Sequence, residues 1–269
     1  MVSRIHFDKT FVINMDKDVQ RLEEFDAMMT KCEWEYERFP AVHMKKLTPD
    51  QEKLRQEIIT PKAGMRPEEV GCALSHISLW RQIVTNNYSR VVIFEDDART
   101  LVEGPSVLDT ISSFYNYLHT NSLEEPDVLF LGKCGDACRK LTKVHGNVFN
   151  SEHPLCTHAY VVTKRGAERL LAMGPFWKPL DMQINEGFTK GKATVMVYHP
   201  SLFFQNVYGN ASNLRGFDSA LNCMVECNDV PNMTTYVYLG LACGLILCIV
   251  LAIFWYFVPM RTYPHNIVG

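Results

Sequence analysis

The sequence predicts an α/β domain built on a largely parallel sheet, followed by one apolar segment long enough to span a membrane. Three observations carry this. Short apolar runs rich in β-branched residues alternate with segments of helical periodicity, the pattern of β-α-β units. One such run, Arg90-Val-Val-Ile-Phe-Glu-Asp-Asp97, ends in three carboxylates, at the carboxyl end of a strand where open α/β sheets bind their ligands. No residue from Val230 to Met260 is charged, and Tyr236–Val258 is 23 mostly apolar residues, about 35 Å long as a helix.

Taken in order, Phe11–Met15 is a short apolar strand. Asp16 is placed to cap a helix through about Lys31, with Val19, Leu22, Phe25, Met28 and Met29 on one side. Phe39-Pro-Ala-Val42 ends a second extended stretch. Thr48-Pro-Asp-Gln51 opens a polar helix to about Ile59 with a capping-box pattern and proline at the first helical position. Pro67 starts a long helix through about Val84, strand 90–95 follows, and Pro105 opens a helix to about His119. Asp127–Gly132 and His158–Thr163 are strands, Thr163 caps the helix Lys164–Met173, and Thr194–His199 is the last clear strand. Residues 133–156 read as a long loop over the sheet.

With a net charge of −3 and no basic cluster, nothing in the sequence suggests nucleic acid as a partner. The N-terminus has no signal-peptide h-region, and Asp8 and Lys9 arrive early. Tyr236, Tyr238, Trp255 and Tyr256 sit near the ends of the apolar segment, as interfacial aromatics do. The expected organisation is a catalytic domain over 1–225, a linker 226–235, a membrane helix 236–258 acting as a tail anchor, and a short tail 259–269, with the domain in the cytosol. Cys134/Cys138 and Cys223/Cys227 have three intervening residues, not the two of common zinc ribbons, so reduced thiols are expected. The sequons at Asn210 and Asn232 matter only if the domain is not cytosolic.

Three adjacent carboxylates repel one another unless a cation neutralises them, and a hard divalent ion suits oxygen ligands. Extended geometry points Glu95 and Asp97 to one side and Asp96 to the other. A plain acidic loop after a strand stands beside this reading. On the long helix, Cys72, His76 and Trp80 share a face, and Gly71 inside a helix suggests close approach by another backbone or a ligand. Periodicity alone reads this as a packed helix with His76 satisfied in the core.

Several pieces taken together resemble glycosyltransferase family 25, which includes lipooligosaccharide and procollagen galactosyltransferases. They are Val12-Ile-Asn14, Arg21, Phe39-Pro-Ala-Val42, Gly71-Cys72 with Ser75-His76 and Trp80, Glu95-Asp-Asp97, Thr157-His-Ala-Tyr160, Gly166-Ala167, Asp181, and Pro200 with Gln205. All fall in the family's order from residue 11 to about 215. The resemblance implies a GT-A-type, Rossmann-like nucleotide-sugar-binding domain, a UDP-sugar donor, typically UDP-galactose, a Mn2+ or Mg2+ ion, and inversion at the anomeric carbon. Its metal ligands would be Glu95, Asp97 and the late His199, with Asp96 toward the donor's ribose or sugar. Asn14, Ala41 and Val42 would hold the uridine, and Gly71, Ser75 and His76 would shape the donor pocket. Asp181 would be the base or bind the acceptor, beside the plain reading of a helix cap, with His76 and Glu186 next in line as base. The chain has His43-Met44 where the family commonly has Asp-Gly. Glycan, glycolipid and protein acceptors stay open, as do UDP-glucose as donor and a silent, membrane-tethered sugar-binding protein.

Overall fold

The computed structural model describes residues 4–206, apart from 62, 63, 101, 103 and 105. The expected linker, membrane span and both sequons lie outside the described residues. Among the described residues no helix is long and apolar enough to cross a membrane.

In chain order the strands are β1 (Lys9–Asn14), β2 (Glu37–Pro40), β3 (Arg90–Glu95), β4 (Ala98–Thr100), β5 (Val128–Cys134), β6 (Thr142–His145), β7 (Val148–Asn150), β8 (Leu155–Thr163), β9 (Val195–Tyr198) and β10 (Phe203–Gln205). The helices are α1 (Val19–Lys31), α2 (Pro49–Ile58), α3 (Pro67–Thr85), α4 (Ser106–Thr120), α5 (Lys164–Leu171) and α6 (Leu180–Thr189). Eight strands form one sheet in the order β2-β1-β3-β8-β5-β9-β7-β6, and β10 pairs with β4 in a separate two-stranded sheet.

Side-chain alternation along β1 and β3 builds two cores, one on each face of the sheet. Phe11, Ile13, Val91 and Ile93 join Leu74, Ile77, Trp80 and Ile83 of α3 on one side. Val12, Val92 and Phe94 join Phe25 and Met29 of α1 and Ile111, Phe114 and Leu118 of α4 on the other. Because β3 is covered on both faces, it reads in the sequence as an unbroken apolar run. The predicted box at α2 is present: Gln51 N–H donates to Thr48 Oγ1 at 3.2 Å, and Thr48 N–H donates to Gln51 Oε1 at 2.9 Å. α3 starts at Pro67, as the sequence predicts.

Four details differ from the sequence-based expectation. The sheet is mixed: β8 and β7 run against the other six strands of the large sheet. α1 begins at Val19 with Asp18 at its N-cap, and Val19 is 57% exposed, so the face that packs rests on Phe25 and Met29. Residues 133–156 are not one loop, because β6 and β7 form a hairpin turning at Gly146-Asn147, with Gly146 at φ 53°, and β7 pairs with β9. Gly-Asn between two apolar stretches is a hairpin signal. Finally, Cys134 and Cys156 form a disulfide joining the neighbouring strands β5 and β8, with Cα atoms 5.8 Å apart, where reduced thiols were expected.

Candidate active site at the end of strand three

β3 delivers Glu95, Asp96 and Asp97 to the sheet's carboxyl end, and Asp96 N–H still bonds Ile13 O of β1 at 3.1 Å. All three line a cavity of about 340 Å³ together with Arg21, residues 41–45, Gly71, Cys72, Ser75, His76 and Gln205. Ser75 of α3 shapes one wall: its hydroxyl accepts from Val42 N–H and donates to Gly71 O, both at 2.8 Å. A Cβ on Gly71 would lie 2.6 Å from Val42 O, so the glycine permits α3 to approach the backbone at 42, as the sequence suggests. Ala41, Val42, Gly71, Ser75 and Asp96 thus line one cavity.

The three carboxylates have different surroundings. Glu95 Oε1 accepts from Thr157 Oγ1 at 2.7 Å and faces His76 Nε2 at 3.3 Å. His76 Nδ1 lies 2.9 Å from the Tyr160 hydroxyl, which also accepts from Trp80 Nε1 at 2.9 Å. Every group in this chain is satisfied when Tyr160 O–H donates to Nδ1 and Nε2–H donates to Glu95. Burial acts upward on the Glu95 carboxyl, but its bonds to His76 and Thr157 outweigh that and hold it below the ordinary glutamate range.

Asp96 Oδ2 accepts from Asn14 Nδ2 at 2.7 Å, and its Oδ1 lies 2.7 Å from Arg21 Nη2. The same Arg21 nitrogen lies 2.9 Å from Asp97 Oδ2. Burial pushes Asp96 up to about 6, against the pull of Arg21 and the Asn14 hydrogen bond. Burial, then the neighbouring Glu95 charge, also pushes Asp97 upward, with Arg21 opposing. The cation in contact with this motif is thus a guanidinium. Arg21 belonged to the sequence pattern without being given a role.

Gln205 is another residue of that pattern left without a role. β10 pairs with β4 so that Gln205 lies opposite Ala98, and Asn206 N–H bonds Asp97 O at 2.8 Å. Gln205 Nε2 donates to Asp97 Oδ2 at 3.0 Å. Asp97 Oδ1 and Gln205 Oε1 are buried acceptors with no hydrogen-bond partner among the described residues. An acidic oxygen and an amide oxygen left bare beside three carboxylates fit a hard divalent cation. Cys72, His76 and Glu95 also bring one donor atom each within 4.8 Å of one another, a softer set.

Several sequence-based expectations change in the structure. Asn14 does not line the cavity: it is 2% exposed, and its side chain is spent on Asp96, Asp18 O and Arg38, so it orients Asp96 rather than holding uridine. His199 is not among the residues lining the cavity; its ring packs edge-on against Phe149 and its N–H bonds Asn147 O. His76 lines the cavity, but both its nitrogens are engaged by Tyr160 and Glu95, which makes it a positioning residue. Asp96 and Asp97 share one cation instead of pointing apart. Asp181 lies outside the cavity lining, at the start of α6, where it accepts from Met182 N–H at 2.9 Å and Cys156 N–H at 3.3 Å.

Comparison with known proteins agrees with the pattern of motifs. Procollagen galactosyltransferase 1-A of Xenopus laevis is 28% identical over 188 residues, 66% of this chain and 30% of that protein. Inactive glycosyltransferase 25 family member 3 of Mus musculus is 27% identical over 191 residues, 66% of this chain and 31% of that protein. The chain thus matches less than a third of either relative's length. A solved UDP-glucose pyrophosphorylase complexed with UDP-glucose aligns over 72% of this chain and 90% of its own, with TM-score 0.41 and 8% identity, too distant to bear on function. The model of "Glycosyltransferase family 25 (LPS biosynthesis protein)" matches residues 7–186, well over half of the sequence, and the chain belongs to that family.

Proposed function

We propose that this domain transfers a hexose, galactose foremost, from a UDP-sugar to a hydroxyl of a glycan, glycolipid or protein acceptor, with inversion and with Mn2+ or Mg2+ bound. The observation that carries this is the buried Asp96–Asp97 pair opening on the cavity beside Arg21, with the backbone at 41–45 and the start of α3 opposite. Asp97, with Glu95 beside it, would hold the metal, which when bound neutralises charge on the leaving diphosphate. Arg21 and Asn14 hold Asp96 toward the donor. Lys17 and Lys45 line the same cavity and supply positive charge for phosphate oxygens. The Trp80–Tyr160–His76 chain keeps Glu95 ionised and in one orientation.

Inversion needs a proton acceptor on the face away from the leaving group. Asp181 is the proposed base: Cys156 N–H holds it one residue from Thr157, the residue that bonds Glu95. Asp181→Asn should lower turnover by roughly 100-fold with UDP binding preserved. Weakened UDP binding with normal turnover would make Asp181 a donor-site residue instead.

The deciding experiment for the function is a screen of UDP-sugars with Mn2+, in which Asp97→Asn should abolish transfer and leave the fold intact. Full activity in EDTA sinks the metal-dependent reading. A silent nucleotide-sugar-binding protein is the competing reading, favoured by the cation that Arg21 already supplies to Asp96 and Asp97. Metal-dependent hydrolysis of any UDP-sugar excludes it. We also propose that Tyr236–Val258 tethers the domain to a membrane.

A further inference from the structure

Gln205 and Asp97 form a hydrogen-bonded pair in which one oxygen of each side chain is left bare among the described residues. Asp97 Oδ2 receives both the Gln205 amide N–H, at 3.0 Å, and the Arg21 guanidinium, at 2.9 Å. Asp97 Oδ1 and Gln205 Oε1 are buried, and among the described residues neither accepts a hydrogen bond. The amide orientation follows from chemistry, since a flipped Gln205 would set its oxygen against a carboxylate oxygen. The backbone leaves little freedom to relieve the bare pair. β10 pairs with β4 through Phe203, Phe204 and Gln205, and Asn206 N–H bonds Asp97 O. Farther along the same strand, Phe203 O accepts from His158 Nε2, and Gly132 packs so closely there that a Cβ would lie 2.2 Å from both atoms. A buried acceptor without a partner is costly, and two on one pinned pair call for a ligand that both oxygens can share.

We infer that Gln205 is a direct ligand of the divalent metal, through its side-chain carbonyl oxygen, completing with Asp97 a site that spans β3's end and β10. This rests on the metal-dependent reading above and adds to it a ligand 108 residues away from Asp97. The chemistry suits a neutral oxygen. Three carboxylates already crowd the motif, so a fourth would add repulsion in the metal-free protein, whereas an amide carbonyl adds a hard ligand without charge. The amide's other end steadies Asp97 whether or not metal is bound.

The test is Mn2+ binding by the full chain, read from loss of the free-ion signal in electron paramagnetic resonance, without donor and with UDP. Asp97→Asn should abolish binding. Gln205→Leu should weaken it by roughly tenfold or more, and Gln205→Glu, which keeps an oxygen in place, should bind at least as tightly as the parent. Unchanged affinity in Gln205→Leu alongside loss in Asp97→Asn overturns the Gln205 assignment while the metal reading stands; the bare oxygens are then filled by water. No Mn2+ binding by the parent chain, with or without UDP, overturns both. If Gln205→Leu fails to fold, Gln205→Glu decides: retained or tighter Mn2+ binding, with a larger Mn2+-induced rise in melting temperature than the parent's, supports the assignment, and weakened binding overturns it.

Discussion

Three carboxylates in succession after β3 meet one guanidinium, and much of the site's electrostatics follows from how Arg21 divides itself between Asp96 and Asp97. Its side chain is 12% exposed and those of the two aspartates 7% and 8%, so these are buried pairs. Removing one partner from such a pair leaves uncompensated charge. Arg21→Leu should therefore cost on the order of 3 kcal/mol in urea unfolding at neutral pH, and Mn2+ should restore more stability to it than it adds to the parent. An unchanged midpoint would mean that the aspartates are neutralised by other means. A second residue-scale expectation concerns Tyr160, which is 2% exposed and joins Trp80 to His76. Tyr160→Phe orphans the Trp80 N–H and frees His76 Nδ1, so stability should fall by roughly 1–3 kcal/mol. At this scale the sequence was informative about positions and less so about roles. Gly71, Ser75 and the acidic motif were legible because their types are restricted by close approach and by charge. Asn14 was misread because an amide that holds a ligand and one that holds a neighbouring carboxylate look alike in a sequence. Gln205 had no visible role because its partner is brought to it by the β10–β4 pairing.

Elements legible in the sequence are those whose cause is local. β1, β3 and α3 carry their periodicity and proline signals in their own residues, and they build the cavity's walls. β4 and β10 are three residues each and exist only because each pairs with the other, so no window of sequence announces them. The reversal of β8 is likewise a matter of topology: its apolar pattern is the same in either direction. Two tests belong here. Gly71→Ala gains about 1 kcal/mol of helix propensity, but its Cβ meets Val42 O at 2.6 Å. A contact to backbone cannot be relieved by a rotamer change, and overpacking costs roughly 1–3 kcal/mol. The variant should be less stable than the parent and weaker for UDP, because α3 must retreat from the 41–45 wall; a gain in stability would show that the wall yields. The second test concerns Asp127 at the foot of β5, which is fully buried. It accepts from Thr194 N–H at 2.7 Å and from Arg165 Nε at 2.7 Å, and it pairs with Arg169, tying α5 and the entry to β9. Burial raises its carboxyl, but the bonds from Thr194, Arg165 and Arg169 prevail and hold it below the ordinary aspartate value. A lowered folded value means stability that is present above the unfolded pKa, about 4, and lost as pH falls through the folded one. Asp127→Asn should cost on the order of 3 kcal/mol at pH 7, the two arginines being partly exposed. It should also flatten the fall in urea midpoint between about pH 5 and 2 relative to the parent.

At the scale of the whole molecule, the proposed tether raises the question of which side of a membrane the domain would face. The apolar, charge-free stretch 230–260 argues for a tether, and its flanking charges, Arg215 well before it and Arg261 beyond it, barely bias orientation. The expected cytosolic placement carried with it an expectation of reduced thiols. The Cys134–Cys156 bridge joins adjacent strands β5 and β8 and lies next to Thr157, the Glu95 partner. Disulfides persist in oxidising compartments and are rare where thiols are kept reduced. That favours a domain facing a lumen or the exterior, where the sequon at Asn210 becomes available. Expressed in a eukaryotic host, the full chain should fractionate with membranes and carry a glycan on Asn210 that an N-glycosidase removes. Its domain should resist protease added to sealed vesicles, and a non-reduced digest should yield the Cys134 and Cys156 peptides linked. A protease-accessible domain with bare Asn210 and reduced Cys134 and Cys156 would restore the cytosolic orientation, and the bridge would then have no part in holding Thr157 beside the site.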